Sequence, residues 1–147
     1  MVTLNPWYIV GFIEGEGCFA ITISKHKTKK LGFDARMVFE IELRGDDKQI
    51  LEEIKNYFGV GHIYNLNYER YGWFPHVKYA VHNLQDIKQR IIPFFKKYPL
   101  RGKKAKDFKV FCQALNIFEK KEHLTIQGLD KLKNLRKYMN KARPFGK

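Results

Sequence analysis

The sequence predicts an α+β domain: a four-stranded antiparallel sheet with helices on one face and the other face open. Two observations predict it. Four segments alternate apolar with polar residues at the two-residue period of a strand, and they fall into two pairs. A helical pattern precedes each pair and another follows the second, so the order is helix, strand, strand, helix, strand, strand, helix. No linker rich in Pro, Gly or Ser divides the 147 residues. A single domain over 1–147 is expected, with its core at about 5–118 and a helical extension at about 119–147.

The first helix has Asn5 as a plausible N-cap, Pro6 as its first residue and Gly17 as its stop. Between them, Trp7 to Ile13 is apolar on every side of the turn, as for a helix buried on more than one face. Glu14 and Glu16 follow, with Gly11 and Gly15 four residues apart. Glu16 falls at the C-terminal end of the helix, where the dipole disfavours an anion, and Glu14 adds like-charge repulsion. A bound divalent cation would compensate both.

Phe19, Ile21 and Ile23 mark the first strand, and Lys25–Lys30 reads as a connecting loop. The second strand is the clearest in the chain, with Phe33, Ala35, Met37, Phe39, Ile41 and Leu43 on one face. Gly45 breaks it. Asp46 is an N-cap candidate for a helix through about Phe58, striped by Ile50, Leu51, Ile54 and Phe58. The third strand opens in Gly59–Asn65, Tyr71-Gly72 lies in a turn, and Phe74–His82 forms the fourth. Asn83 caps the next helix, which Pro93 disturbs and Pro99 stops. Lys104–Phe118 and Ile126 to about Met139 complete the helices.

Composition narrows the function. Aromatic residues make up 15% and hydrophobic residues 44%, so the chain folds. Lys and Arg number 28 against 15 acidic residues, a net charge of +13 that favours a polyanion partner, above all nucleic acid. Cys18 and Cys112 have neither disulfide-framework nor metal-ligand spacing, which suits a reducing compartment. Neither a signal-type segment nor a membrane-length apolar run is present, so a soluble intracellular protein is expected. Its host genome is open: organellar, archaeal, bacterial or viral.

The open sheet face is expected to carry Thr22, Ser24, His26, Asp34, Arg36, Glu40, Glu42, Arg44, His62, Tyr64, His76, Lys78 and His82. An ordinary solvated face would be equally polar. Two-stranded ribbons fit the DNA major groove, however, and acids there suit base edges rather than phosphates. The histidines lack metal-ligand spacing. Trp7 and Trp73 read as packing or strand-end residues. The basic series on the last helix, Lys131 to Arg143, reads as a solvated face, with phosphate contact as the alternative.

The run Ile9-Val10-Gly11-Phe12-Ile13-Glu14-Gly15-Glu16-Gly17, opening this helix-strand order, resembles the signature of the LAGLIDADG homing endonucleases. The resemblance spans about Trp7 to Phe118 and implies their αββαββα fold, with extra C-terminal helices. The glutamates stand where many members have aspartate. The motif occurs once, which in this family implies a homodimer. Gly11 and Gly15 would let two helices approach closely, with Glu14 as a structural acid at the dimer contact.

The resemblance further implies a site-specific double-strand DNA endonuclease, cutting a long, near-palindromic target across the minor groove to leave 3′ overhangs. Mg2+ would be held by Glu16 and the Gly15 carbonyl, with Mn2+ or Ca2+ substituting in binding. A basic helper is implied near Leu100-Arg101-Gly102-Lys103-Lys104, with Lys103 first and Arg101 second. The position at the end of the second strand, often polar in the family, here holds Leu43 or Arg44. DNA contacts are expected from Thr22, Ser24, His26, Arg36, Glu40, Glu42, Arg44, Tyr64, His76 and Lys78. The alternative is a non-cleaving nucleic-acid-binding protein on the same fold, an intron-splicing maturase or transcription regulator.

Overall fold

A computed structural model describes residues 3–139. The end of the expected helical extension, including Lys141 and Arg143, lies outside the described residues. Element order follows the expected one. Helix α1 (Pro6–Glu16) leads into β1 (Gly17–Lys25) and β2 (Phe33–Arg44). Then come α2 (Lys48–Phe58), β3 (His62–Leu66) and β4 (His76–Val81). A short α3 (Leu84–Asp86), a π turn (Ile87–Ile91) and α4 (Ile92–Lys97) form one helical stretch. Helices α5 (Lys104–Glu119) and α6 (Ile126–Arg136) close the described chain. The strands make a four-stranded antiparallel sheet in the order β1-β2-β4-β3.

The chain divides into two compact units, each discontinuous in sequence. The first holds the residues up to Cys18 and Phe39–Arg101; the second holds Phe19–Val38 and the residues from Gly102 onward.

In the first unit, register fixes which side chains share a face. Glu40 pairs with Ala80, Glu42 with Lys78 and Arg44 with His76, while Tyr64 pairs with Lys78 from the other side. The alternate residues Phe39, Ile41, Val77 and Tyr79 are buried. Phe39 packs against Phe58 of α2 at 6.0 Å, Tyr79 at 6.4 Å and Phe95 of α4 at 5.8 Å between ring centroids. Helices thus cover one face of this part of the sheet. The buried Tyr79 hydroxyl donates to the Val60 carbonyl at 2.7 Å, and burial pushes its phenol well above the usual range. Gly61 beside it has φ 95°, and a Cβ there would come within 2.6 Å of the Tyr79 ring.

In the second unit, Phe19 packs on Phe108 and Phe111 of α5 at 5.4 and 5.2 Å. The Lys133 ammonium of α6 lies 5.2 Å from the Phe33 ring centroid. Helix α6 passes so close to the preceding turn that a Cβ on Gly128 would meet the Glu122 carbonyl oxygen at 1.7 Å.

Two local expectations need correction. Asp46 does not cap α2: Arg44, two residues back, takes its carboxylate at 2.7 Å, and Gly45–Asp47 forms a 3-10 turn first. A charged guanidinium outcompetes a backbone amide for that carboxylate. Strand β4 is shorter than expected, because Pro75 precedes it and Asn83 already caps α3 by accepting from the Asp86 amide at 3.0 Å. Pro93 disturbs its helix as expected, without ending it. The π turn widens the spiral just before it and absorbs the bond that proline cannot donate. No helix among the described residues is long and apolar enough to cross a membrane.

Candidate active-site carboxylate and nucleic-acid interface

Helix α1 is set by strictly local chemistry. The Asn5 Oδ1 accepts from the Trp7 amide at 2.8 Å, Pro6 starts the helix, and the Gly17 amide closes it on the Ile13 carbonyl. A Cβ at Gly17 would fall 2.7 Å from Ile13 Cγ2, so the closing glycine is required for space. Ile9, Val10 and Ile13 are buried. The opposite side carries Tyr8, half exposed at 50%, with Gly11 and Gly15, and an added Cβ at either glycine would meet nothing within 4 Å. The Tyr8 ring leans on Phe12 at 6.1 Å. Trp7 is 54% exposed and meets Tyr98 edge-on at 5.3 Å, so it packs with only part of its ring.

The two acids of α1 differ in environment. The Glu14 Oε2 accepts from the Arg101 backbone amide at 2.5 Å, tying the end of α1 to the segment after buried Leu100. Glu16 is exposed at the last helical position. The Gly15 carbonyl belongs to the final turn, where carbonyls lack intrahelical donors. One exposed carboxylate beside a helix-end carbonyl suits Mg2+, which takes one or two carboxylates and completes its shell with water and phosphate oxygens. Among the described residues, no three His, Cys, Asp or Glu side chains gather as an all-protein metal cage. Arg101 is exposed in the same unit as Glu16. Lys103 is exposed at the N-terminus of α5, in the second unit. A cation there opposes the helix dipole, so a bound anion would relieve it.

Register brings six of the expected DNA-facing residues onto one face of the first unit: Glu40, Glu42, Arg44, Tyr64, His76 and Lys78. Four of them pair across strands, Glu42 with His76 and Glu40 with Lys78. Glu42 Oε2 accepts from the Tyr68 hydroxyl at 3.0 Å and contacts His76 Nδ1 at 2.9 Å. Lys78 Nζ lies 3.8 Å from Glu40. Arg44 holds Asp46 through Nε and Nη2, and its guanidinium lies 4.5 Å from the Phe74 ring centroid. That pairing lowers the Asp46 carboxyl below its ordinary value. Desolvation, then the bond to Glu42, raises the Tyr68 phenol. Sequence reasoning placed Tyr71-Gly72 in a turn but missed Tyr68 and the exposed aromatics around it, where Tyr71, Trp73 and Phe74 are all more than half exposed. Their density between the last two strands was the available signal.

In the second unit, Thr22 and Ser24 are exposed alternates of β1, and His26 lies just past its end, with Thr28 Oγ1 3.2 Å from its Nδ1. Arg36 is exposed but committed to Asp34 at 2.7 Å. Asp34 does not stand on an open polar face; it is buried. Lys29 and Arg36 both pair with it at 2.7 Å. The Lys29 bond lowers its pKa most; burial opposes, and Arg36 lowers it further. Asp107 of α5 is also fully buried, and nothing in the sequence pattern marked it.

Known proteins resemble this chain in sequence and fold. The LAGLIDADG endonuclease family model matches residues 9–115. Probable intron-encoded endonuclease 3 of Neurospora crassa is 34% identical over 138 residues, covering 93% of this chain and 25% of that protein. An uncharacterized 50.9 kDa protein in ND4 intron 1 of Podospora anserina is 36% identical over 125 residues, 84% of this chain and 26% of that protein. The chain therefore spans about a quarter of the length of these curated relatives. Among solved structures, the I-LtrWI LAGLIDADG homing endonuclease bound to target DNA matches with a TM-score of 0.87 at 32% identity, over 97% of this chain and 46% of that one. The homing endonuclease I-TnaI matches at 0.84 and 32%, over 97% of this chain and 92% of that one.

Proposed function

The chain belongs to the LAGLIDADG endonuclease family, and on that premise we propose that it is an intron-associated homing endonuclease: it pairs as a homodimer and cuts both strands of a near-palindromic DNA site. The observation that carries this reading is α1: an exposed glycine face with open space over Gly11 and Gly15, ending in exposed Glu16. A smooth face on a helix lets a second such helix approach closely, and a two-fold axis between them sets two Glu16 side chains side by side.

Each part of the chain has a task. Glu16 and the Gly15 carbonyl would hold Mg2+. A bound Mg2+ supplies Lewis acidity, lowering the pKa of the attacking water and neutralising the leaving 3′ oxygen. Glu14, engaged with the Arg101 amide, fixes the end of α1 so that Glu16 starts from a rigid backbone. Arg101 and Lys103 offer charge to phosphate oxygens. The polar sheet face holds the duplex in register, while a net charge of +13 brings the polyanion in and makes affinity fall with salt.

Incubation with a randomised duplex library, with Mg2+ and with chelator, tests the reading. Double-strand cuts with 3′ overhangs in Mg2+ alone support it. Sequence-specific binding without a cut in Mg2+ refutes it in favour of a maturase or regulator.

A further inference from the structure

We propose that Glu42 reads a cytosine in each half-site, that Tyr68 and His76 are its positioning residues, and that Arg44 reads a guanine beside it. The inference rests on the DNA-reading role proposed above and assigns its base preference.

Glu42 is unusual for a face that meets a polyanion, since a free carboxylate there repels phosphates. It is not free to swing. Tyr68 and His76 both engage Oε2, at 3.0 and 2.9 Å, and its side chain is only 36% exposed. No donor among the described residues is bonded to Oε1. A carboxylate held in this way presents one fixed acceptor outward. In the major groove, cytosine offers an amine donor at N4. Guanine and thymine put acceptors at the same edge. Adenine offers an amine but sets the N7 acceptor beside it, against the same negative charge. Only cytosine matches an acceptor-only group without a clash of lone pairs.

Arg44 is held by the same logic with the opposite sign. Asp46 occupies Nε and one Nη2 direction, and the Phe74 ring supports the guanidinium plane. The Nη1 side keeps N–H groups for the O6 and N7 acceptors of guanine. Glu42 and Arg44 lie two residues apart on β2, about 6.7 Å along the strand. That length corresponds to about two base-pair steps of roughly 3.4 Å. Both groups are ordered before DNA arrives, so little rotamer entropy remains to be lost on binding. A purely internal network that only anchors the aromatic turn to β2 would carry no base preference, and this separates the two accounts.

The test is binding selection from a randomised duplex library by the full chain, with chelator present so that no DNA is cut. The wild-type chain should enrich cytosine at one position of each half-site and guanine about two steps away. In Glu42→Gln the amide gains a donor that matches adenine N6 and N7. The cytosine position should then move to adenine by roughly tenfold or more, the discrimination typical of such a pair. Tyr68→Phe should lower cytosine discrimination several-fold at that position and nowhere else. This second variant decides the question alone if Glu42→Gln fails to fold. Preferences unchanged in both variants, in a chain that still selects a site, overturn this inference alone. A wild-type chain that enriches no sequence overturns the DNA-reading role as well.

Discussion

Replacing Gly11 with alanine should make the single copy more stable and the pair weaker, a combination few substitutions produce. Within one copy the added Cβ meets nothing within 4 Å, so no steric cost offsets the helix-propensity gain of about 0.8–1 kcal/mol. With an unfolding entropy of about 2.1 cal/mol/K per residue, 147 residues give about 0.3 kcal/mol/K, and the Tm should rise by about 3 °C. The paired state responds in the opposite sense. Two-fold symmetry doubles each new methyl at the helix crossing. Overpacking of about 1–3 kcal/mol per site therefore becomes about 2–6 kcal/mol, or roughly 30-fold to 20,000-fold in the dissociation constant. Thermal melts at dilutions where the chain is monomeric read the first effect, and sedimentation across a dilution series reads the second. A lower Tm would mean that Gly11 packs within its own chain. An unchanged dissociation constant would place the dimer seam elsewhere.

Three further outcomes follow from the packing. Gly61→Ala combines φ 95° with contacts of 2.6 Å to the Tyr79 ring and 2.9 Å to the Ala80 carbonyl, so it should destabilise the chain by about 3 kcal/mol or more, visible as a drop in denaturant midpoint. Glu14→Ala removes the acceptor of the Arg101 amide and should cost about 1.5–2 kcal/mol, the lower part of the range for bonds to charged groups, at a partly exposed site. Burial, and then the charge of Lys29, lower the pKa of His123, whose ring lies 4.6 Å from that of Phe118. Its unfolded form therefore takes up a proton first. Stability should be constant above the ordinary histidine value of about 6.5 and fall as pH drops below it, until the folded-state pKa is passed. His123→Phe should abolish that fall in pH-dependent melts; a fall that persists unchanged in the variant would contradict it.

What the sequence made legible was local or periodic. Helix α1 could be read whole because its cap, its proline and its closing glycine all lie within two residues of its ends. Strand β2 could be read because its twelve residues largely keep one period. What escaped was set by partners distant in sequence or by competing local chemistry. Glu42 meets Tyr68 and His76 across 26 and 34 residues, contacts that only strand register creates. Asp46 had the residue type of a cap, but Arg44 claimed its carboxylate. Asp34 had the alternation of an exposed face, yet it is buried and paired with two cations. The π turn before Pro93 is a response to a missing donor, and one-dimensional periodicity does not express it.

At the candidate site, the motif located Glu16 and Gly15 but not the difference between its two acids. That difference comes from the Arg101 amide, which engages Glu14 and so marks it as part of the scaffold. Glu16, exposed at the helix end, is the acid proposed for chemistry. Cleavage of a selected duplex in Mg2+ by the wild-type chain and by Glu16→Gln tests this most directly. Glu16→Gln should bind the site within a few-fold of wild type and leave both strands whole. Cutting by Glu16→Gln at a rate near that of wild type would contradict the account.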